Sequence, residues 1–575
     1  MRHSYTLFLL FVLTVLQACA SSHYSSEGGV ASEGAALSDT KLYLNADFIT
    51  MDDALPEVEA IAVREGIIIA AGGVAETRLA AGSSALEIDL AGNTVLPGLI
   101  DAHGHISFAS LFMATANISS PPVGSANDIE DVLNLLSAKR DATPDEDWII
   151  GWGYDDSLLK EKRHPTKQDL DKVSSTRPIA LTHVSGHLMS CNSVCLQRAE
   201  ITSSTLNPDG GIIRRLPGGN EPDGVLEETA MTKLRMILPK PTKEIRLALL
   251  NKAQQYYASH GLTTVQDGAA SIEEIDILRE AAANKKLYLD VVGFPYAAYV
   301  KDRLDEYKSS KSYQDNFRVG GFKLVLDGSP QGKTAWLTKP YLHAPHGQDD
   351  SYVGYATLTD EQAQFFVNKA FEDNTPLLAH ANGDAAADQL INAVTIANQE
   401  YGNADRRTVM IHAQTVREDQ IDAMLEQNIM PSYFSAHTFY WGDWHRDSVF
   451  GVERASRISP LRSSADKGLR YTTHNDTPIV PPDMMRLVWA SANRITRSGK
   501  ILGEAQQATV MEALRSITID AAHQYFEEDT KGSITVGKVA DLVILSQNPL
   551  TIDKADIKDI QVLKTIKDGV VVYQK

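Results

Sequence analysis

The stretch LPGLIDAHGH, residues 96–105, decides how this chain is read. It sets two histidines, His103 and His105, at alternate positions directly after an apolar run. In a strand, residues two apart point to the same face, so the two imidazoles converge on one point, as ligands of a metal ion must. Taken alone, the pair is equally a polar end to a strand. What lies further along the chain separates the two readings.

Strand-like runs, apolar at their start and polar at their end, recur down the sequence. There are eight: TVLPGLIDAHGH from Thr94, TTVQDGA from Thr263, LYLDVVGF from Leu287, VGGFKLVLDGS from Val319, TPLLAHANGD from Thr375, RTVMIHAQ from Arg407, IMPSYFSAH from Ile429 and LRYTTHND from Leu469. Helical intervals such as TKEIRLALLNKAQQYYASH and TDEQAQFFVNKAFEDN separate several of them. Eight such units predict an α/β fold: a (β/α)8 TIM-like barrel over residues 96–527, with its chemistry at the carboxyl ends of the strands.

Between the first and second runs lie about 150 residues, far more than one connection needs. Residues 120–240, which include WIIGWGYDDSLL and RPIALTHVSGHLM, read as an inserted, partly β subdomain over the barrel mouth, acting as lid or substrate wall. Residues 41–95 and 528–575 share a texture of short apolar runs broken by glycine. They predict a small β-sandwich domain built from both termini.

The 575 residues exceed one ordinary core, and 43% hydrophobic with 22% charged residues is a globular composition. A net charge of −20 with no basic stripe argues against a nucleic-acid partner. Arg2 and His3 precede an apolar stretch from Leu7 to Leu16, too short to span a bilayer, so residues 1–20 read as an export signal. Leu16-Gln17-Ala18-Cys19 looks like a bacterial lipobox, which makes Cys19 the lipidated residue and the only contact with a membrane. No Asp follows Cys19 directly, as in proteins sorted to the outer membrane; Ala18-Cys19-Ala20 also fits ordinary cleavage and soluble periplasmic export. Residues 21–40, rich in Ser, Gly and Ala, read as a flexible tether. An oxidising compartment permits Cys191 and Cys195 to pair; the preferred reading is two small buried thiols. Homo-oligomerisation stays open.

The strand ends supply His103 and His105 (first), Lys323 (fourth), His380 (fifth), His412 (sixth) and Asp476 (eighth). Imidazole nitrogen and carboxylate oxygen suit zinc and similar divalent ions. An ammonium repels a cation, so Lys323 belongs in this company only if its amine is carbamylated into a carboxylate that bridges two metals. Otherwise it is a salt-bridged barrel lysine.

Six motifs, LPGLIDAHGH, FKLVLDGSPQGKTA, LLAHANGDAA, MIHAQ, HNDTP and GSITVGKVADLVIL, resemble those of the amidohydrolase superfamily. The likeness is to amidohydrolase family 3, the group that includes N-substituted formamide deformylases, and it covers nearly everything from Lys41 to Lys575. It implies metal positions at His103, His105, Lys323, His380 and His412. Asp476 matches the carboxylate that serves the metal and shuttles the proton. The resemblance further implies one or two divalent ions, zinc foremost, and metal-activated water cleaving an amide or other non-peptide C–N bond of a small molecule. Two departures bear on substrate preference. His474-Asn475-Asp476 stands where the family often has Gly-Ser-Asp, and DGSPQGKTA carries Lys333 where an arginine is common.

Four residues are candidates for the substrate pocket: His187 in HVSGH of the insertion, His437 and Trp441 in the aromatic loop after the seventh strand, and Trp152 in GWGYDD. Each would otherwise serve ordinary packing. Asp327 and Gly328 are expected to shape their loop. Two other functions fit the same residues: an N-acyl amino acid or dipeptide hydrolase, and a surface lipoprotein that keeps the barrel for binding without turnover.

Overall fold

The computed structural model describes residues 40–144, 146–345 and 347–575. The eight runs appear in chain order as parallel strands: Leu99–Ile100, Leu262–Ala270, Asp290–Pro295, Phe317–Val319 continued by Phe322–Val325, Leu377–Ala381, Thr408–His412, Ile429–Tyr433 and Thr472–Thr473. Hydrogen bonds join them as a four-stranded and a five-stranded sheet. The fourth run changes sheet midway. Phe317–Val319 pairs with the third strand, and Phe322–Val325 pairs with the fifth. Gly320 and Gly321 make the step possible, because a Cβ on Gly321 would lie 2.1 Å from the Pro376 carbonyl oxygen and one on Gly320 2.5 Å from the Phe294 ring. On the far side, Ile517 O accepts from Ile100 N at 2.9 Å and Ser516 O from Thr473 N at 3.4 Å, so residues 516–517 sit between the first and last strands. The arrangement is TIM-barrel-like α/β.

The fifth and sixth strands are buried along their whole length, as expected of parallel strands covered by helices. The helix Asp360–Glu372 presents Phe366, Val367, Ala370 and Phe371 to the core and is held at its start by a capping box between Thr359 and Gln362. Helix Lys243–Ser259 is capped by Thr242, whose hydroxyl accepts from Ile245 N.

The first run divides differently from the sequence expectation. Residues 94–97 end the strand Leu86–Pro97, which pairs with Leu542–Leu545 and with Thr40–Ile49; only Leu99–Ile100 belongs to the barrel. Gly98 is the joint, and a Cβ there would stand 2.4 Å from Thr263 Oγ1. The two terminal segments meet in one seven-stranded hydrogen-bonded sheet. Its strand order is Val570–Gln574, Val562–Lys567, Leu542–Leu545, Leu86–Pro97, Thr40–Ile49, Glu57–Arg64 and Ile67–Gly72. Signal, lipid anchor and tether lie outside the described residues, except that Thr40 already opens a strand. Among the described residues, no helix is long and apolar enough to cross a membrane.

Between the first two barrel strands stands a six-stranded sheet: Gly211–Arg215, Pro222–Glu228, Leu188–Cys191, Ile179–His183, Ile149–Tyr154 and Ala116–Asn117. Here the reading of Cys191 and Cys195 as two thiols is corrected, because they form a disulfide. Cys191 ends a strand, Asn192 caps the helix Ser193–Arg198 through Cys195 N, and this tight corner brings the two Cα atoms to 5.6 Å.

Candidate metal centre

His103 and His105 converge, but not as neighbours on one strand. They lie in the bend after Ile100, and His105 makes an isolated bridge with Asp267. The bend requires Gly104, since a Cβ there would stand 2.3 Å from Asp101 Oδ2. The two rings face each other edge-on with centroids 5.0 Å apart. Across from them is Asp476, whose Oδ1 lies 3.4 Å from His103 Nε2 and 3.1 Å from His105 Nε2.

The other ring nitrogens settle the tautomers. His103 Nδ1 is 2.5 Å from Gln266 Oε1, and the Gln266 amide nitrogen is fixed in turn by the Ala102 carbonyl. His105 Nδ1 is 2.5 Å from the Gly268 carbonyl oxygen. Both Nδ1 atoms therefore donate, and both Nε2 atoms turn toward the carboxylate. Asp476 Oδ1 is buried, and no protein hydrogen bond of good geometry reaches it. Two imidazole nitrogens and a carboxylate oxygen within 4.8 Å of one another are a donor set that fits a cation.

Lys323, His380 and His412 complete the floor. Lys323 Nζ lies 3.1 Å from His103 Nε2. Strand register puts Val325 beside His380 and Ala381 beside His412, so the three functional side chains share one end of the sheet. His380 Nε2 donates to the Gly328 carbonyl at 3.0 Å, which leaves its Nδ1 facing His412 Nε2 at 3.2 Å. His412 adopts φ 73° and Asp476 φ 54°, a left-handed backbone uncommon outside glycine and concentrated at functional sites.

Burial fixes the charge states. It pushes Lys323 down to about 7 and holds His103, His380 and His412 well below the ordinary imidazole value, so all three rings are neutral, as metal ligands are. Burial alone would raise Asp476, but the His105 ring beside it, itself pushed up by this carboxylate, outweighs burial and holds the carboxyl well below the usual range.

The pocket candidates separate. His187 reaches the site: its ring is 5.4 Å from that of His380, and its Nδ1 is 2.8 Å from Glu228 Oε2. His437 sits behind Phe434, whose ring is 4.3 Å from it and 5.4 Å from that of His474, and its Nδ1 meets His445 Nε2 at 3.2 Å. Trp441 donates its indole N–H to Asp155 Oδ2 at 2.6 Å, tying the seventh-strand loop to the insertion. Trp152 stacks on Phe112 at 3.6 Å and joins the hydrophobic core. Asp327 shapes its loop, accepting backbone N–H bonds from Trp336, Asn382 and Gly383.

Asp155, Asp156 and His183 also gather ligand-type atoms. Here Ser185 N donates to His183 Nδ1 at 3.1 Å, so the imidazole proton sits on Nε2 and is given to Asp156 Oδ1 at 3.1 Å. The group is satisfied as it stands.

Three residues escaped the sequence reading. Gln266 orients His103. Glu228 lies 41 positions from the His187 it bonds, and no spacing rule joins them. His474 links Ser432 Oγ at 2.8 Å to His412 Nδ1 at 3.2 Å, although in the sequence it was visible only as a departure from Gly-Ser-Asp.

Residues 86–573 match the amidohydrolase family, and the chain belongs to it. Among its relatives is the N-substituted formamide deformylase of Arthrobacter pascens, 27% identical over 551 residues that cover 93% of this chain and 98% of that protein. The protein LONG AFTER FAR-RED 3 of Arabidopsis thaliana is 26% identical, covering 95% of this chain and 93% of its own. An uncharacterized metal-dependent hydrolase from Pyrococcus horikoshii OT3 superposes with a TM-score of 0.71 at 22% identity, over 90% of this chain and 99% of that one. One from Pyrococcus furiosus gives 0.69 at 22% identity, over 89% and 100%. These two likenesses show the fold.

Proposed function

We propose that this chain is a metal-dependent hydrolase that cleaves an amide, or another non-peptide C–N bond, of a small molecule. One observation carries the reading: His103 Nε2, His105 Nε2 and the buried Asp476 Oδ1 surround a common point, 3.4 and 3.1 Å from ring nitrogen to carboxylate oxygen. His103, His105 and Asp476 would hold one divalent ion, zinc foremost. Lys323, His380 and His412 would hold a second, with Lys323 carbamylated. The neutral amine that burial favours at Lys323 is the form that takes up carbon dioxide. Bound there, a divalent ion supplies Lewis acidity and lowers the pKa of water toward ~7.

The chain's own groups do the rest. Asp476, ionised and at the strand ends, is the base that takes the proton of the attacking water and returns it to the leaving nitrogen. His187 faces the substrate from the insertion, with Nε2 free of any protein partner among the described residues. On the side of the seventh strand Phe434 would form the wall with His437 behind it, and Trp441 would tie this loop to the insertion through Asp155. N-substituted formamides lead the substrate list because the Arthrobacter pascens relative is named for deformylating them.

The test is a screen of purified, metal-loaded protein against N-alkylformamides, N-acyl amino acids and dipeptides. Hydrolysis of a formamide, lost in His103→Ala and His105→Ala together with the metal, is the expected result. A protein that binds no divalent ion and cleaves none of the panel overturns the reading.

We further infer export and lipid anchoring at Cys19, supported by the leader pattern of residues 1–20 and by a disulfide that suits an oxidising compartment.

A further inference from the structure

We propose that Glu228 is a positioning residue: it fixes the imidazole of His187 so that Nε2 is presented to the substrate. The inference rests on the hydrolase reading for its chemistry, though not for its geometry.

Glu228 closes the strand Pro222–Glu228 of the insertion. Its backbone N–H donates to the His187 carbonyl at 3.0 Å, and its Oε2 accepts from His187 Nδ1 at 2.8 Å. The two residues are thus joined through both main chain and side chain. Glu228 adopts φ 47° and ψ −120°, a conformation that L side chains rarely hold unless the surroundings impose it. Its second oxygen, Oε1, is buried with no hydrogen-bond partner, and lies 2.7 Å from where a Cβ on Gly328 would stand. Gly328 in turn receives the Nε2–H of His380 through its carbonyl, and the His380 ring meets that of His187. Carboxylate, imidazole, His380 and the Gly328 backbone therefore form one circuit of contacts, in which the insertion touches the fifth-strand histidine. Of the atoms of His187, Nδ1 is committed to Glu228, and Nε2 has no protein partner among the described residues.

A carboxylate held this way removes one of the two freedoms of the ring. It excludes the flipped rotamer, since Nδ1 would lose a charge-assisted bond. A group that aligns an imidazole affects turnover more than ground-state affinity, because orientation counts most in the transition state.

The experiment compares Glu228→Ala, Glu228→Gln, His187→Ala and the Glu228→Ala/His187→Ala double variant as metal-loaded full-length protein, with kinetics on an N-alkylformamide and a crystal structure of Glu228→Ala. The expected results are a kcat about 100-fold lower in Glu228→Ala and in His187→Ala with KM changed little, and a double variant no worse than His187→Ala. Metal content should match the parent throughout. Glu228→Gln should keep most of the activity, because its amide oxygen still accepts from Nδ1. In the Glu228→Ala crystal structure the His187 ring should turn or lose its order. A full kcat in Glu228→Ala, losses that multiply in the double variant, or an unmoved His187 ring would each overturn the proposal. A parent protein without amidase activity would sink the hydrolase reading instead, and the ring orientation would still decide the role of Glu228.

Discussion

His103 and Asp476, at the ends of the first and last barrel strands, are joined twice. Asp476 N donates to the His103 carbonyl at 3.2 Å, and Asp476 Oδ1 lies 3.4 Å from His103 Nε2. The contact that draws the two ends of the strand series together is therefore also the contact that aligns two ligands. Metal affinity and the integrity of this seam should fail together.

Gln266→Ala leaves every ligand in place but frees the His103 ring. Metal affinity should fall about 10–100-fold, the usual cost of losing a group that orients a ligand. Chelator competition followed by elemental analysis measures it, and unchanged retention would show that Gln266 does not set the ring.

Lys323→Ala should bind one divalent ion where the parent binds two, and regain part of the second when a short-chain carboxylate is supplied. A carbamate on Lys323 should appear as added density on Nζ, 3.1 Å from His103 Nε2 in the unmodified side chain. A bare amine beside a single ion would refute the two-metal form.

Trp441→Phe removes the indole donor to Asp155 while keeping most of the aromatic surface. Hydrogen bonds to charged groups contribute about 1.5–3 kcal/mol, so the insertion should pack less firmly on the seventh-strand loop. The expected outcome is a raised KM with metal content unchanged, read from steady-state kinetics and elemental analysis.

Acid should attack a place outside the candidate metal centre. Asp290 Oδ2 meets Lys531 Nζ at 2.5 Å and Lys567 Nζ at 3.1 Å, joining the third barrel strand to the terminal sheet. Burial alone would raise this carboxyl, but the two ammonium groups prevail and lower it from 3.8 to about 2. A carboxyl depressed in the folded state adds stability that is complete above its unfolded value and is lost as pH falls toward the folded one. Thermal stability should therefore drop between about pH 4 and pH 2. Asp290→Ala takes one carboxylate from each ammonium but leaves Glu527 to Lys531 and Asp541 and Asp568 to Lys567, so it should cost about 1.5–3 kcal/mol at neutral pH and flatten that drop.

Cys19→Ser should abolish incorporation of labelled fatty acid and shift the protein from the membrane fraction to the soluble fraction of the cells that express it. Soluble parent protein would favour ordinary cleavage.

The sequence by itself determined the eight strand ends and the residue types on them. Apolar runs ending in His105, Lys323, His380, His412 and Asp476 are local patterns, and a parallel strand buried on both faces leaves polar side chains no place but its end. The tertiary structure alone decided how those runs are shared out. Whether residues 94–97 belong to the barrel or to the terminal sheet depends on Leu542–Leu545, more than four hundred positions away, and on the lack of a side chain at Gly98. The same holds for the supports of the site. Gln266 reaches His103 across 163 positions, Trp441 reaches Asp155 across 286, and Glu228 reaches His187 across 41. Periodicity reports which way a side chain faces within its own element. It carries no information about which distant partner will stand 2.5–3 Å away, because that distance is set by how the elements pack.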